Sequence, residues 1–305
     1  MNVVGTVLSI FLLLFIGYGT KKIRLLRAED ADLLNTVVIY LTLPAFIFDA
    51  IYGYRQPLPL SIVKVPVIGF GMIAVVLGIA FIVGRMLRLD RPTLGGLILA
   101  SGFGNTGFLG YPVVQAAFHE RGALVTAALY DELAMALPLY TLGALIAAGL
   151  AGEKVEGKQL LRVFKLPALL AIPVALLLRP VAIPEPLLAA IRYLGNGTIP
   201  LVMISLGLSL SARSLKGLAV PVLAVCVLKL GVLPLLTHYA LQFGGVTGVM
   251  HKVSVIEAGM PSAVMTSVIA SQFGANARFV AGAIFVSTLL SIAAIPAGLI
   301  ILGVQ

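Results

Sequence analysis

Long apolar runs dominate this chain, and short charged segments separate them. Ten runs are long enough to predict membrane-spanning helices, because the apolar core of a bilayer requires about 20 residues per helix. These predicted spans, numbered 1 to 10, cover residues 3–20, 33–51, 65–87, 93–117, 123–148, 165–179, 187–210, 216–241, 250–273 and 278–302. The pattern predicts an all-α polytopic membrane protein with no separate soluble domain.

Composition supports this prediction. Of the 305 residues, 60% are hydrophobic and only 11% are charged, and the mean hydropathy is +1.10. A soluble domain carries about a quarter of its residues as charges, so the main partner expected here is the lipid bilayer. The net charge of +9 does not indicate nucleic acid, because basic residues collect in the loops on one side of a membrane protein.

The positions of the basic residues predict the orientation. Fourteen of the 21 Lys and Arg residues lie near the loops that follow the odd-numbered spans, and six lie in the other loops. Cytoplasmic loops carry the excess of positive charge. We therefore expect both termini on the extracytoplasmic side of the inner (plasma) membrane.

The chain divides into two halves of five spans each. Residues 1–152 form the first predicted repeat, 153–164 a cytoplasmic connecting loop and 165–305 the second repeat. An odd number of spans inverts the second repeat in the membrane. Matching helix-breaking positions support the repeat: Pro44 and Pro200 in spans 2 and 7, GFGNTGFLGYP in span 4 and IEAGMPSAV in span 9. Corresponding interrupted helices in inverted halves indicate the substrate site of a secondary transporter.

Crossing of spans 4 and 9 at their breaks would bring four half-helix ends together. Free N–H groups at half-helix N-termini suit an anion, and unwound carbonyl groups suit a cation. Asn105 and Thr106 offer side chains for a substrate, or they cap the second half of span 4. The other candidate substrate residues are Gly107, Pro112, Gly259, Pro261, Ser262 and Lys229.

Four ionisable residues lie deep within the apolar spans, where charges are costly and indicate function. Glu257 is predicted to bind a cation or a proton, or to cap the following half-helix. Asp131 and Glu132 point about 100° apart on an α-helix, so we expect only one, Asp131, to face the cavity. Lys229 pairs with an acid in a structural bridge or faces the substrate. His119, His238 and His251 show no metal-ligand spacing.

Three motifs resemble bacterial members of the auxin efflux carrier family: NTGFLGYP, KLGVLP and AGMPSA. The resemblance extends over essentially the whole chain and includes the plant PIN auxin exporters. It implies a scaffold of spans 1, 2, 6 and 7, which often dimerises, and a moving core of spans 3–5 and 8–10. It also implies that Asn105 is a substrate-binding asparagine.

IEAGMPSA also resembles the second crossover of bile-acid sodium symporters. That resemblance implies Na⁺ ligands at Glu257, at Asn105 and at the backbone carbonyl of Met260. Two departures weaken the match at one Na⁺ site, and the extra carboxylate would allow proton coupling instead. Pro261 stands where that family has a sodium-ligating glutamine, and Asp131 is an acid near a position where it has a hydroxyl.

The predicted function is secondary transport of small organic anions by elevator-type alternating access. Carboxylates are the expected substrates, and auxin-like molecules are compatible with this prediction. We expect coupling to H⁺ or Na⁺, no other cofactor and a homodimer through the scaffold. The alternatives are an anion channel or uniporter and a sodium-coupled symporter of the bile-acid type. Direct ATP drive is not expected, because no P-loop lysine is present. An enzyme is not expected, because the Asp131–Glu132 pair lacks a second acidic motif.

Overall fold

The computed structural model describes residues 3–153, 155–210 and 218–304. About 81% of the chain is helical, and the described residues contain no β-strand. This agrees with the predicted all-α membrane class. The predicted start of span 8 at residue 216 and Lys154 of the connecting loop lie outside the described residues.

The first half contains eight α-helices. They are α1 (Val3–Lys22), α2 (Asp30–Val37), α3 (Leu43–Tyr52), α4 (Lys64–Met86), α5 (Arg91–Gly102), α6 (Tyr111–Ala117), α7 (Arg121–Leu129) and α8 (Ala144–Ala151). Four π segments (Val38–Thr42, Thr106–Gly110, Tyr130–Ala136 and Leu139–Gly143) and a 3₁₀ turn (Leu60–Val63) join them.

The described residues of the second half contain nine α-helices. They are α9 (Gly157–Leu160), α10 (Pro167–Leu178), α11 (Glu185–Asn196), α12 (Thr198–Ser209), α13 (Ala219–Val227), α14 (Leu233–Phe243), α15 (Gly248–Ala258), α16 (Val264–Gln272) and α17 (Ala277–Ile301). A π segment (Leu228–Val232) joins α13 to α14, and a 3₁₀ turn (Leu161–Lys165) precedes α10.

The described residues contain six continuous helices that are long and apolar enough to span a membrane, or seven if the bent pair 157–178 is counted as one. The sequence predicts ten spans. Predicted spans 4 and 9 do not form continuous helices, because their breaks divide them into the shorter helices α5 and α6, and α15 and α16. The ten-span inverted repeat therefore stays a prediction.

Four π segments share a sequence cause. They end at Thr42, Gly110, Ala136 and Val232, in each case two residues before a proline (Pro44, Pro112, Pro138 and Pro234). Proline lacks the backbone N–H and its ring clashes with the carbonyl four residues earlier. A wider i→i+5 turn before the ring accommodates both effects and keeps the helix continuous.

Two apolar clusters form the interior. Cluster A is built mainly from α1, α3, α10 and α12, together with α6 and α7. Cluster B is built mainly from α4, α5, α8, α13 and α17. Helix α15 contributes to both, through Val253 and Ile256 to cluster A and through Val255 and Ala258 to cluster B. The two broken elements therefore lie where the clusters join.

Asp49, which is expected at a membrane interface, lies in a small surface ion-pair network. Its carboxylate is 3.3 Å from Arg192, which also contacts Glu185 at 3.1 Å. The Arg192 and Asp49 side chains are both partly exposed, so this network belongs to the surface and lies apart from the site described next.

Candidate functional site

The interruption between α5 and α6 lies directly against the interruption between α15 and α16. Gly104 and Ser262 form an isolated antiparallel β-bridge. The Asn105 N–H donates to Pro261 O at 2.7 Å, and the Ala263 N–H donates to Phe103 O at 3.0 Å. Each interruption thus supplies partners for the backbone groups that the other leaves free. This pairing is necessary because such groups cannot face lipid.

The carboxyl ends of the two leading half-helices are capped by different side chains. At the end of α5, the Ser262 hydroxyl donates to Ala100 O at 2.7 Å. At the end of α15, the Lys229 ammonium donates to Ala258 O at 2.5 Å. A cation is favourable at a helix C-terminus, where the helix dipole is negative.

Lys229 is fully buried. The ion pairs found among the described residues do not include it, so the Lys–Asp bridge considered from sequence is not formed. Its ammonium also lies against Gly104, where an added Cβ would be only 2.8 Å from Nζ. Lys229 therefore joins the end of α15 to the opposite interruption.

Asp131 packs against the start of the half-helix that follows the first interruption. The Thr106 hydroxyl donates a hydrogen bond to Asp131 Oδ1. Asp131 Oδ2 would be 3.0 Å from a Cβ built on Gly107. Thr106 and Gly107 are the first two residues of the π segment 106–110, so the carboxylate occupies the positive end of this half-helix. Thr106 is fully buried, and its hydroxyl helps to hold the Asp131 carboxylate in this position.

Glu257 lies against Gly110 near the end of the same π segment. Its side chain is fully buried, and neither carboxylate oxygen has a hydrogen-bond partner among the described residues. A Cβ on Gly110 would overlap the carboxylate, so only glycine permits this approach. A buried carboxylate without partners is costly unless it is protonated or binds a cation. Glu257 therefore fits a proton or cation site.

A cavity of about 620 Å³, with its open mouth included, lies beside the first interruption. Its polar lining consists of Gly104, Asn105, Gly107, Asp131 and Glu132. Its apolar lining includes Ile39 of the π segment 38–42, Leu43 of α3, Leu166 directly before α10 and Ala168 of α10. Its polar lining therefore comes from the first interruption and the π segment 130–136, and part of its apolar lining comes from helices of cluster A.

Of the predicted substrate residues, Asn105 and Gly107 line this cavity. Asn105 is 4% exposed and its side-chain Nδ2 has no partner among the described residues. The lining does not include four other buried candidates, Thr106, Pro261, Ser262 and Lys229. Pro112 is buried in the first turn of α6. Gly259 lies on a separate apolar groove formed by α14, α15 and α17.

Glu132 corrects an expectation from the sequence. Only one residue of the Asp131–Glu132 pair was expected to face the cavity, but both line it. The expectation assumed an α-helix, whereas residues 130–136 form a π segment. Successive side chains of a π-helix are separated by a smaller angle, because each turn holds more residues.

Met135 is a site residue that the sequence did not indicate. It lines the cavity, and its Sδ accepts a hydrogen bond of 3.1 Å from the Gly104 N–H. A methionine in an apolar helix carries no sequence signal for such a contact. Met260, the proposed carbonyl ligand, is fully buried, and its carbonyl lies near Gly104.

The buried charges around the interruptions do not balance. Asp131, Glu132 and Glu257 contribute three carboxyl groups, and Lys229 contributes the ammonium group. The described residues contain no group of three or more His, Cys, Asp or Glu arranged to hold a metal ion. The excess of acid therefore favours uptake of protons, or of a cation that also uses amide and carbonyl oxygens.

Comparison with known proteins identifies transporters only. The profile of a family described as "Membrane transport protein" matches residues 2–299. An uncharacterized transporter of Methanothermobacter thermautotrophicus is 35% identical over 303 residues, 97% of each chain. An uncharacterized transporter of Methanocaldococcus jannaschii is 32% identical over 294 residues, 94% of each chain.

A third relative, from Rhizobium meliloti, is named "Putative malonate transporter". It is 28% identical over 307 residues, which cover 96% of this chain and 94% of the relative. The family and all three relatives are named as transporters and not as enzymes. These matches confirm the prediction that the chain is not an enzyme.

Proposed function

Because the chain belongs to the membrane transport protein family, and so to the auxin efflux carrier family that its motifs resemble, we propose that it is a secondary transporter of small organic anions, with carboxylates as the substrate class. The observation that carries this proposal is the cavity between the broken region and the helices of cluster A. A donor-bearing wall that can move against an apolar wall is suited to alternating access. The malonate named for the Rhizobium meliloti relative is the first substrate to test.

The proposed architecture is ten spans in two inverted repeats of five, 1–152 and 165–305. Ten crossings arise from the six continuous spans, from α1 and α10, and from the two interrupted pairs α5–α6 and α15–α16. The pairing of the two interruptions supports this arrangement. Predicted spans 1, 2, 6 and 7 act as the scaffold and dimerise, and spans 3–5 and 8–10 move as an elevator. The two clusters support this division, because scaffold helices contribute to cluster A and most core helices to cluster B. The protein resides in the inner membrane with both termini outside.

Coupling to a cation follows from the charges. An anion that enters beside Asp131 and Glu132 is repelled until these acids are neutralised. Protonation of the acids, or a Na⁺ ion held by Glu257, Asn105 and the carbonyl of Met260, would supply the neutralising charge. The partnerless carboxylate of Glu257 fits either cation. An anion channel would need a continuous pore, which a closed pairing of two interruptions does not favour.

A thermal-shift screen of the purified protein tests the substrate class. Malonate, succinate and acetate are compared with their neutral amides, with Na⁺ or K⁺ and at several pH values. A ligand that binds the folded state raises its unfolding temperature. We therefore expect at least one of the carboxylates, and none of the amides, to raise the unfolding temperature. Equal responses to acids and amides, or no response to any acid, would contradict the proposal.

Uptake by proteoliposomes tests the coupling. Glu257→Gln removes the charge at nearly constant volume, and we expect uptake driven by a cation gradient to be lost. Glu29→Gln, at an exposed position, is the matched control and should keep full uptake. Normal gradient-driven uptake by the Glu257→Gln protein would exclude Glu257 from coupling. Unchanged uptake after replacement of Na⁺ by K⁺ at fixed pH would favour the proton.

A further inference from the structure

Two hydrogen-bond donors lie on neighbouring residues of the first interruption, and both residues line the cavity. One is the Gly104 N–H, which donates to Met135 Sδ at 3.1 Å. The other is Asn105 Nδ2, which is buried and has no partner among the described residues. Both residues line the cavity, and so does Met135. Two neighbouring donors match the two oxygens of a carboxylate.

The Met135 sulfur is a poor permanent partner for a backbone N–H. A thioether is only a weak acceptor, whereas hydrogen bonds to an ionised carboxylate are shorter and roughly twice as strong as neutral ones. Methionine is also unbranched and flexible, so it changes rotamer at low cost. The contact therefore satisfies the Gly104 N–H and is weak enough to be replaced.

We propose that Met135 is a displaceable substitute for the substrate carboxylate. On binding, one carboxylate oxygen replaces Met135 Sδ at the Gly104 N–H, and the other accepts from Asn105 Nδ2. This inference rests on the proposed function and adds a residue that sets substrate specificity. An uncharged ligand gains too little from the two donors to displace the sulfur, so the exchange selects for an anion.

The test measures the dissociation constant of malonate, succinate and acetate for the purified full-length protein by calorimetry. Met135→Leu keeps the side-chain volume nearly constant and removes the competing acceptor, so we expect a Kd about two- to tenfold lower. Met203→Leu is the matched control, because Met203 is also buried, in cluster A, and does not belong to the cavity lining. We expect no change in its Kd.

Met135→Gln gives the opposite expectation. Its amide oxygen is a stronger acceptor for the Gly104 N–H, so the Kd should rise. A merely structural role for Met135 would weaken binding in both variants. A Kd for Met135→Leu that equals or exceeds that of the unsubstituted protein would overturn the inference while the proposed function stands, and so would a lower Kd for Met135→Gln. If the unsubstituted protein binds none of the three carboxylates, the proposed function fails and the inference fails with it.

Discussion

The two interruptions differ in what they offer to a ligand, although they pair through the same backbone bridge. Both interruptions contribute to the cavity lining, the second through Ala263, but only the first adds a side-chain donor, Asn105 Nδ2, that has no partner among the described residues. At the second interruption, the Lys229 ammonium donates to the carbonyl at the end of α15, and the Glu257 carboxylate packs against Gly110. Matching interruptions in the two halves of the chain therefore need not have the same function. The first interruption is suited to binding the anion, and the second to holding charge.

The largest expected effect on ligand affinity separates the first interruption from the rest of the chain. Asn105→Ala removes the free donor in the cavity, and we expect carboxylate affinity to fall about 10- to 100-fold with little change in unfolding temperature. The measurement is Kd by calorimetry. Asn196→Ala, at an exposed position of α11, should bind as the unsubstituted protein does. If Asn105→Ala binds normally, the first interruption is not the ligand site.

Lys229→Met tests the capping of the second interruption. The substitution leaves the buried Ala258 O without its donor and removes the positive charge at the C-terminus of α15, so it should destabilise the fold by about 2–4 kcal/mol. Thermal unfolding in detergent measures the loss. Lys252→Met is a close control, because Lys252 also donates to a carbonyl, Gly303 O at 3.1 Å, but at an exposed site. A similar loss in both variants would show that burial at the interruption adds nothing.

Gly110→Ala tests the contact between the two halves at Glu257. The new methyl group would overlap the carboxylate, and we expect a loss of about 1–3 kcal/mol in unfolding free energy. Gly71→Ala in α4, where a Cβ meets nothing within 4 Å, should be neutral or slightly stabilising. In a Glu257→Ala background the cost of Gly110→Ala should largely disappear. If it persists there, the two residues are not in contact.

Ser262→Ala should have the smallest effect. It removes the hydroxyl that caps Ala100 O at the end of α5, a neutral hydrogen bond worth about 1 kcal/mol. Ser209→Ala is the control, because its hydroxyl donates to Ser205 O within its own helix. A loss for Ser262→Ala as large as that for Lys229→Met would contradict the difference between the two caps.

Much of the site could be predicted because it depends on local chemistry. The glycines and prolines of GFGNTGFLGYP and AGMPSA indicate broken helices, and the interruptions lie at these motifs. A charge in an apolar run likewise marks Lys229, Asp131 and Glu257, and all three are buried beside the breaks. Local sequence does not specify which distant group each residue meets, so the bond from Lys229 to Ala258 O could not be predicted.

Two other features were missed for physical reasons. Glu132 was assigned away from the cavity because an α-helical angle was assumed where the chain forms a π segment. Met135 was missed because a thioether becomes an acceptor only when the fold brings an N–H to it. The ten predicted spans stay unconfirmed, because hydropathy measures apolar length along the chain and does not measure helix continuity.

The prolines that follow the π segments have a consequence for the site that contact distances do not show. A π turn adds one residue to a helix, and one residue corresponds to a rotation of about 100° and a rise of about 1.5 Å. Thr106, Asp131 and Lys229 all lie on such segments, each upstream of Pro112, Pro138 or Pro234. The prolines thus fix the direction in which these side chains point around the helix axis. Replacing one proline by a helix former is expected to turn a functional group away from its partner, although no residue that touches a ligand is changed.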